Sequence, residues 1–235
     1  MKRASNRASL GPLVVVLLLS ASCGGSSGGS GHEELTGSVR SPGGVAIGLV
    51  AAQAPRLAPA PAGAGRATLE LDGLLPVPDG TAVALVRLDA AGAVLETLAS
   101  TTTAAGAYTF DLSVLQLELA SDLALLAGSG ASALRAPAVR DALDVDPLSE
   151  ALVQMMLESA PLTNYTLTEQ HDLLGALELH ARANDLSAQG DVPTTIDAWK
   201  QSAHADVDFE NFLAATLFPG DAGVGPGDVG DYFPS

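Results

Sequence analysis

The chain has 235 residues and 27 Asp and Glu against 11 Lys and Arg, a net charge of −16. That balance excludes phosphate-backbone binding, which needs clustered Lys and Arg, and it disfavours attraction to anionic lipid surfaces. A single cysteine excludes an internal disulfide, and the low aromatic content (4%) argues against a sugar-stacking surface.

The N-terminus has the layout of a secretory signal peptide: basic Lys2, Arg3 and Arg7, an apolar run over residues 13–19, then the small residues Ser20, Ala21 and Ser22. The lone Cys23 follows at once. This arrangement resembles the lipobox of bacterial lipoproteins, although Ser20 stands where that pattern usually has Leu. The resemblance implies cleavage before Cys23 and acylation of its thiol. Ordinary signal-peptide cleavage, with Cys23 unmodified, is the rival. The apolar run is too short for a permanent span, which takes about 20 apolar residues. Residues 1–22 are therefore expected to be removed. The mature chain would hold 213 residues, with 8 basic and 27 acidic side chains and a net charge of −19.

Residues 23–34 read as the lipidated cysteine and a Gly/Ser tether, a flexible coil. Gly25-Ser26-Ser27-Gly28-Gly29 matches a nucleophile-elbow pattern in letters only, because no strand precedes it and no helix follows. Residues 35–145 carry strand signals. Short alternating or apolar runs lie at 35–40, 45–51, 66–71, 81–89, 94–102, 107–112, 121–127 and 133–139, separated by turn residues such as Asp79-Gly80, Ala91-Gly92 and Ala105-Gly106. Residues 55–65, rich in Pro, Ala and Gly, read as an exposed loop. Such spacing suggests an antiparallel sandwich. On residues 107–112, Tyr108 and Phe110 share a face, with Phe110 the expected core residue.

Three stretches carry a second resemblance. Leu35-Thr36-Gly37-Ser38-Val39 is similar to an opening G-x-V strand. Pro76 and Gly80 before the 81–88 strand, and the run from Thr101 to Phe110 through Gly106 and Tyr108, are similar to the next two elements of carboxypeptidase-regulatory-like domains. These are small transthyretin-like β-sandwiches. The acidic residue usual near Ala104 or Ala105 is missing, and the connection between residues 40 and 75 is longer than usual. The resemblance implies a non-catalytic accessory module and transfers no catalytic residue.

Residues 146–218 read as a helical domain. Asp146-Pro147 opens a helix with Leu148, Leu152, Met155 and Met156 inward, and Pro161 closes it. Thr166 and Glu169 form a capping box ahead of Leu173, Leu174, Leu177 and Ala181. Asp191 with Pro193 starts a third helix through Ile196 and Trp199. Asp206 starts a fourth, with Phe209, Phe212, Leu213 and Leu217 inward. Residues 219–235 are Gly-rich and acidic and read as a disordered tail. The fold class is thus α+β by segregation: an N-terminal antiparallel β-sandwich followed by a small helical domain.

No site emerges from spacing apart from the lipidation residue Cys23. His32, His171, His180 and His204 lack the spacing of three or four residues that a helical zinc site wants, and His180 reads as semi-buried. Asp206, Asp208 and Glu210 alternate as in a calcium loop, but Asn211 and Leu217 replace the required Gly and Glu, so capping explains these acids. Asp141, Asp144 and Asp146 read as turn and cap residues. Gly225, Gly227 and Gly230 match a dinucleotide fingerprint outside any strand–helix context. Asn164-Tyr165-Thr166, a formal glycosylation sequon, reads as the lead-in to a helix cap. No Ser/His/Asp set is assembled by spacing, and no catalytic residue, metal or cofactor is expected. The functional expectation is a membrane-anchored envelope lipoprotein that binds an envelope protein or polysaccharide without catalysis. A secreted hydrolase, or an accessory to one, is the alternative, and a structural spacer of an outer-membrane assembly is a third.

Overall fold

In the computed structural model, residues 34–47 and 70–217 are described. They belong to one compact unit, Gly31–Ser235. The expected signal segment, Cys23 and its tether, the 55–65 loop, His32, the 225–230 glycines and the tail lie outside the described residues.

Among the described residues eight strands come first: β1 (Glu34–Ser38), β2 (Arg40–Pro42), β3 (Leu74–Pro76), β4 (Ala82–Leu88), β5 (Val94–Thr102), β6 (Ala107–Asp111), β7 (Leu123–Ala127) and β8 (Leu134–Pro137). A one-turn helix, α1 (Leu112–Leu115), interrupts them. Four longer helices follow: α2 (Pro147–Ser159), α3 (Leu167–Ala183), α4 (Val192–Ala205) and α5 (Val207–Leu217). The segregated α+β order is therefore observed. The antiparallel ladders form three sheets, β1–β6, β2–β3 and a four-stranded sheet ordered β5-β4-β7-β8.

Two expected strands differ. Residues 45–47 have no regular structure, and 48–51 lie outside the described residues. Glu70 and Leu71 are irregular, with 66–69 also outside. Pro42, Gly43 and Gly44 explain the first case. The chain turns there through positive φ at both glycines, so β2 ends before the apolar run begins.

The turn at residues 104–107 is tight, with Ala105 and Gly106 both at positive φ (51° and 76°) and reciprocal backbone hydrogen bonds between Ala104 and Ala107. That is a type I′ geometry. It does not continue as a hairpin, because β5 stays with β4 while β6 leaves to pair with β1 over Glu34↔Asp111 to Ser38↔Ala107. A Cβ on Gly106 would lie 2.5 Å from Pro76 Cβ, which ties the turn to the end of β3. Gly37 is required by close approach. A Cβ there would meet Leu143 O at 1.6 Å and the Tyr108 hydroxyl at 2.7 Å. Over that gap the Tyr108 hydroxyl donates to Leu143 O at 2.5 Å. Phe110 is buried, and Tyr108, the less favoured of the two for the core, is buried as fully. The rings are tilted, with centroids 6.1 Å apart.

The helices start where side chains can accept the unpaired first-turn N–H groups. Asp146 accepts from Leu148 and Ser149, Thr166 from Glu169 and Asp191 from Thr194. Asp206 accepts from Asp208 and Phe209 at the start of α5. α2 is buried on more than one face, including Leu148, Ala151, Leu152, Val153, Met155 and Met156. It packs against β8 on one side and against α3 and α4 on the other. One apolar core consequently runs unbroken from Leu35 in β1 to Leu213 in α5.

Polar contacts also join the α and β parts. Gln170 of α3 donates to Ser121 O at 2.8 Å, and Ala188 N donates to Asp72 O at 2.8 Å. No helix among the described residues is long and apolar enough to cross a membrane.

Candidate functional site

The helical ends bring together what spacing had kept apart. His180 lies in the last turn of α3, Ser202 in the last turn of α4, and Asp206 at the α4–α5 junction. Ser202 and Asp206 are four residues apart and His180 is buried (5% exposed) against them, not semi-buried as expected. Its Nδ1 is 2.7 Å from Asp206 Oδ2 and its Nε2 is 3.0 Å from Ser202 Oγ. Asn184 Nδ2 lies 3.2 Å from the same Nδ1 and donates to His180 O at 3.0 Å. Phe209 covers the imidazole, centroid to centroid at 6.2 Å. Spacing alone assembled no Ser/His/Asp set, and the fold brings these three side chains together. The i, i+4 spacing of Ser202 and Asp206 was the only sequence signal for it.

The electrostatics of Asp206 are resolved. Partial burial pushes its carboxyl up, but the hydrogen bonds from His180, Phe209 N–H and Asp208 N–H outweigh this, and the net shift is down from 3.8.

Chemically, the set has the hydrogen-bond order of a nucleophile–base–acid relay. The other half of acyl-transfer chemistry is a pair of N–H donors for the oxyanion. Ser202 sits at the carbonyl-rich, negative end of α4, where the helix spends its N–H groups internally. The nearby N–H groups of Asp208 and Phe209 are occupied by Asp206. These hydrogen bonds form a clasp joining α3, α4 and α5.

The other two described histidines, His171 and His204, are exposed. His171 lies 3.2 Å from its neighbour Asp172. His204 is 2.5 Å from Glu210 and 3.6 Å from Glu158. Glu158 also pairs with Lys200, and these side chains border a shallow open groove along α4 with Thr194, Asp197 and Gln201. Neither His180 nor Ser202 lines it.

At the sheet-to-helix junction, Asp144 Oδ1 accepts from Ser38 N at 3.1 Å and from its hydroxyl at 2.7 Å. Asp146 is buried as the α2 cap. Burial, and then the neighbouring Asp144, push its carboxyl up to about 7. Among the described residues no group of three or more His, Cys, Asp or Glu is placed to hold a metal ion.

No protein-family model, curated protein or solved structure matches this chain.

Proposed function

We propose that the chain is a lipid-anchored lipoprotein of the bacterial cell envelope, held at the outer membrane through Cys23, and that it acts by binding an envelope protein or polysaccharide without catalysis. The observation that carries this reading is the signal layout that ends at the only cysteine. Acyl chains contribute about 0.8 kcal/mol per buried methylene, and more than one chain gives stable anchoring. Residues 35–145 are read as a transthyretin-like module. This is supported by the pairing of the G-x-V stretch with the Tyr108–Phe110 strand, and by the seating of Gly106 on Pro76. Mass spectrometry of the membrane fraction tests the anchor. A lipid on Cys23 is the expected result, and an unmodified Cys23 in a soluble mature protein would overturn it.

A second reading, a secreted hydrolase, is favoured by one observation: the Ser202–His180–Asp206 hydrogen-bond order. Labelling by a fluorophosphonate probe that disappears in Ser202→Ala would support this reading over binding alone. Absence of labelling leaves the clasp as the role of these residues.

A further inference from the structure

We propose that the exposed start of β5, residues 94–98, takes up an extended basic segment of a partner protein as an added antiparallel strand. The proposal rests on the reading of the chain as a binding module and is independent of the Cys23 anchor.

The two edges of the four-stranded sheet are treated differently. At the β8 edge, α2 substitutes for a neighbouring strand. Glu150 Oε2 accepts the Arg135 backbone N–H at 2.8 Å, and the Ser149 hydroxyl donates to Arg135 O at 2.9 Å. The Arg135 guanidinium then locks onto the same carboxylate, at 3.0 Å from Nε and 2.6 Å from Nη2. That edge is closed.

The β5 edge is closed only in its second half, where Ala99, Ser100 and Thr101 are buried. In an antiparallel ladder, half of a strand's backbone groups face away from its neighbour. For residues 94–98, β4 is the only backbone partner among the described residues. Val94 and Leu95 are 45% and 68% exposed. Leu95 has no partner in the β4 register, which steps from Glu96↔Arg87 to Val94↔Leu88. An open edge with exposed apolar side chains is a template for another strand.

Charge selects the occupant. Glu96 is exposed, and its nearest cation, Arg87 Nε, is 4.0 Å away and already committed to Asp122 at 2.6 Å. A second copy of the chain paired across this short stretch would bring two Glu96 carboxylates together in a molecule of net charge −16. A glycan offers no ladder of alternating amide donors and acceptors. A segment that alternates Lys or Arg with apolar residues satisfies the backbone groups, Leu95 and Glu96 at once.

The test uses the full chain and a blocked synthetic hexapeptide of alternating Lys and Val. Its controls are a Glu/Val peptide and a Lys/Val peptide N-methylated at alternate amides. The expected result is slowed amide exchange at residues 94–98 with the Lys/Val peptide alone. Leu95→Glu, at an exposed position, should keep the parent's melting temperature and weaken binding about tenfold or more. Glu96→Lys should invert the preference toward the Glu/Val peptide. No binding, or binding that N-methylation does not affect or that leaves 94–98 unprotected, would overturn the proposal. So would protection that rises with protein concentration without peptide, since a second copy would then be the occupant. A Leu95→Glu variant that still captures the parent's envelope partner would sink the edge proposal and leave the binding reading standing.

Discussion

Ala105 shows how one residue can work against its own turn. It holds φ of 51° at an exposed position of a type I′ turn, where Asn, Asp or Gly fits best. Its N–H is held by Asp79 Oδ1 at 2.5 Å, which helps keep the strained conformation in place. Ala105→Asn should stabilise the protein by about 1 kcal/mol, read as a higher denaturant midpoint with an unchanged slope. Asp146 makes a second residue-scale case. With its folded value near 7 and an ordinary value of 3.8, the native state holds a proton that the unfolded chain has released. Its contribution is fully present below about pH 4 and is lost as pH rises through 7. Melting temperature should therefore fall between pH 5 and pH 7.5. Asp146→Asn, which keeps a capping oxygen without the charge, should flatten that fall. Asp206 acts in the opposite sense and in another window, because its lowered value removes stability only as pH falls below 3.8. The Asp146 cap was legible from Asp-Pro alone; its raised value was not, because burial and Asp144 come from packing.

At the scale of elements, the best-read parts are those whose signals are local. β5 spans the expected residues 94–102, and α2 to α5 begin at the expected capping residues, since a cap and an alternating stripe are properties of a few neighbouring positions. α1, β2 and β3 escaped because three or four residues carry no periodicity. The His180 clasp escaped because its members come from three helices, 22 and 26 residues apart in sequence. A double-mutant cycle on His180→Ala and Asp206→Ala should return a coupling above about 0.5 kcal/mol, as expected for groups in direct contact. Additive effects would show that the clasp holds nothing. Phe110→Ala, at a fully buried site of β6, should cost roughly 3–5 kcal/mol by chemical denaturation, and a cost below about 1 kcal/mol would contradict its burial.

For the whole molecule, the prediction concerns Cys23: Cys23→Ala should leave the chain unprocessed or released from the membrane fraction, as read by fractionation and intact mass. The α+β order, the helix starts and the acidic balance could be read from the residues alone, because composition, capping and periodicity are written locally. Packing makes α2 a buried layer shared by the sheet and the other helices, so that one core serves both parts. It also decides which sheet edge is closed. Glu150 can replace a strand beside Arg135 only because α2 is packed there, and β5 stays open at residues 94–98 because no described element is packed in the same way against it. Such contacts depend on where distant surfaces meet, which no local pattern of residues encodes.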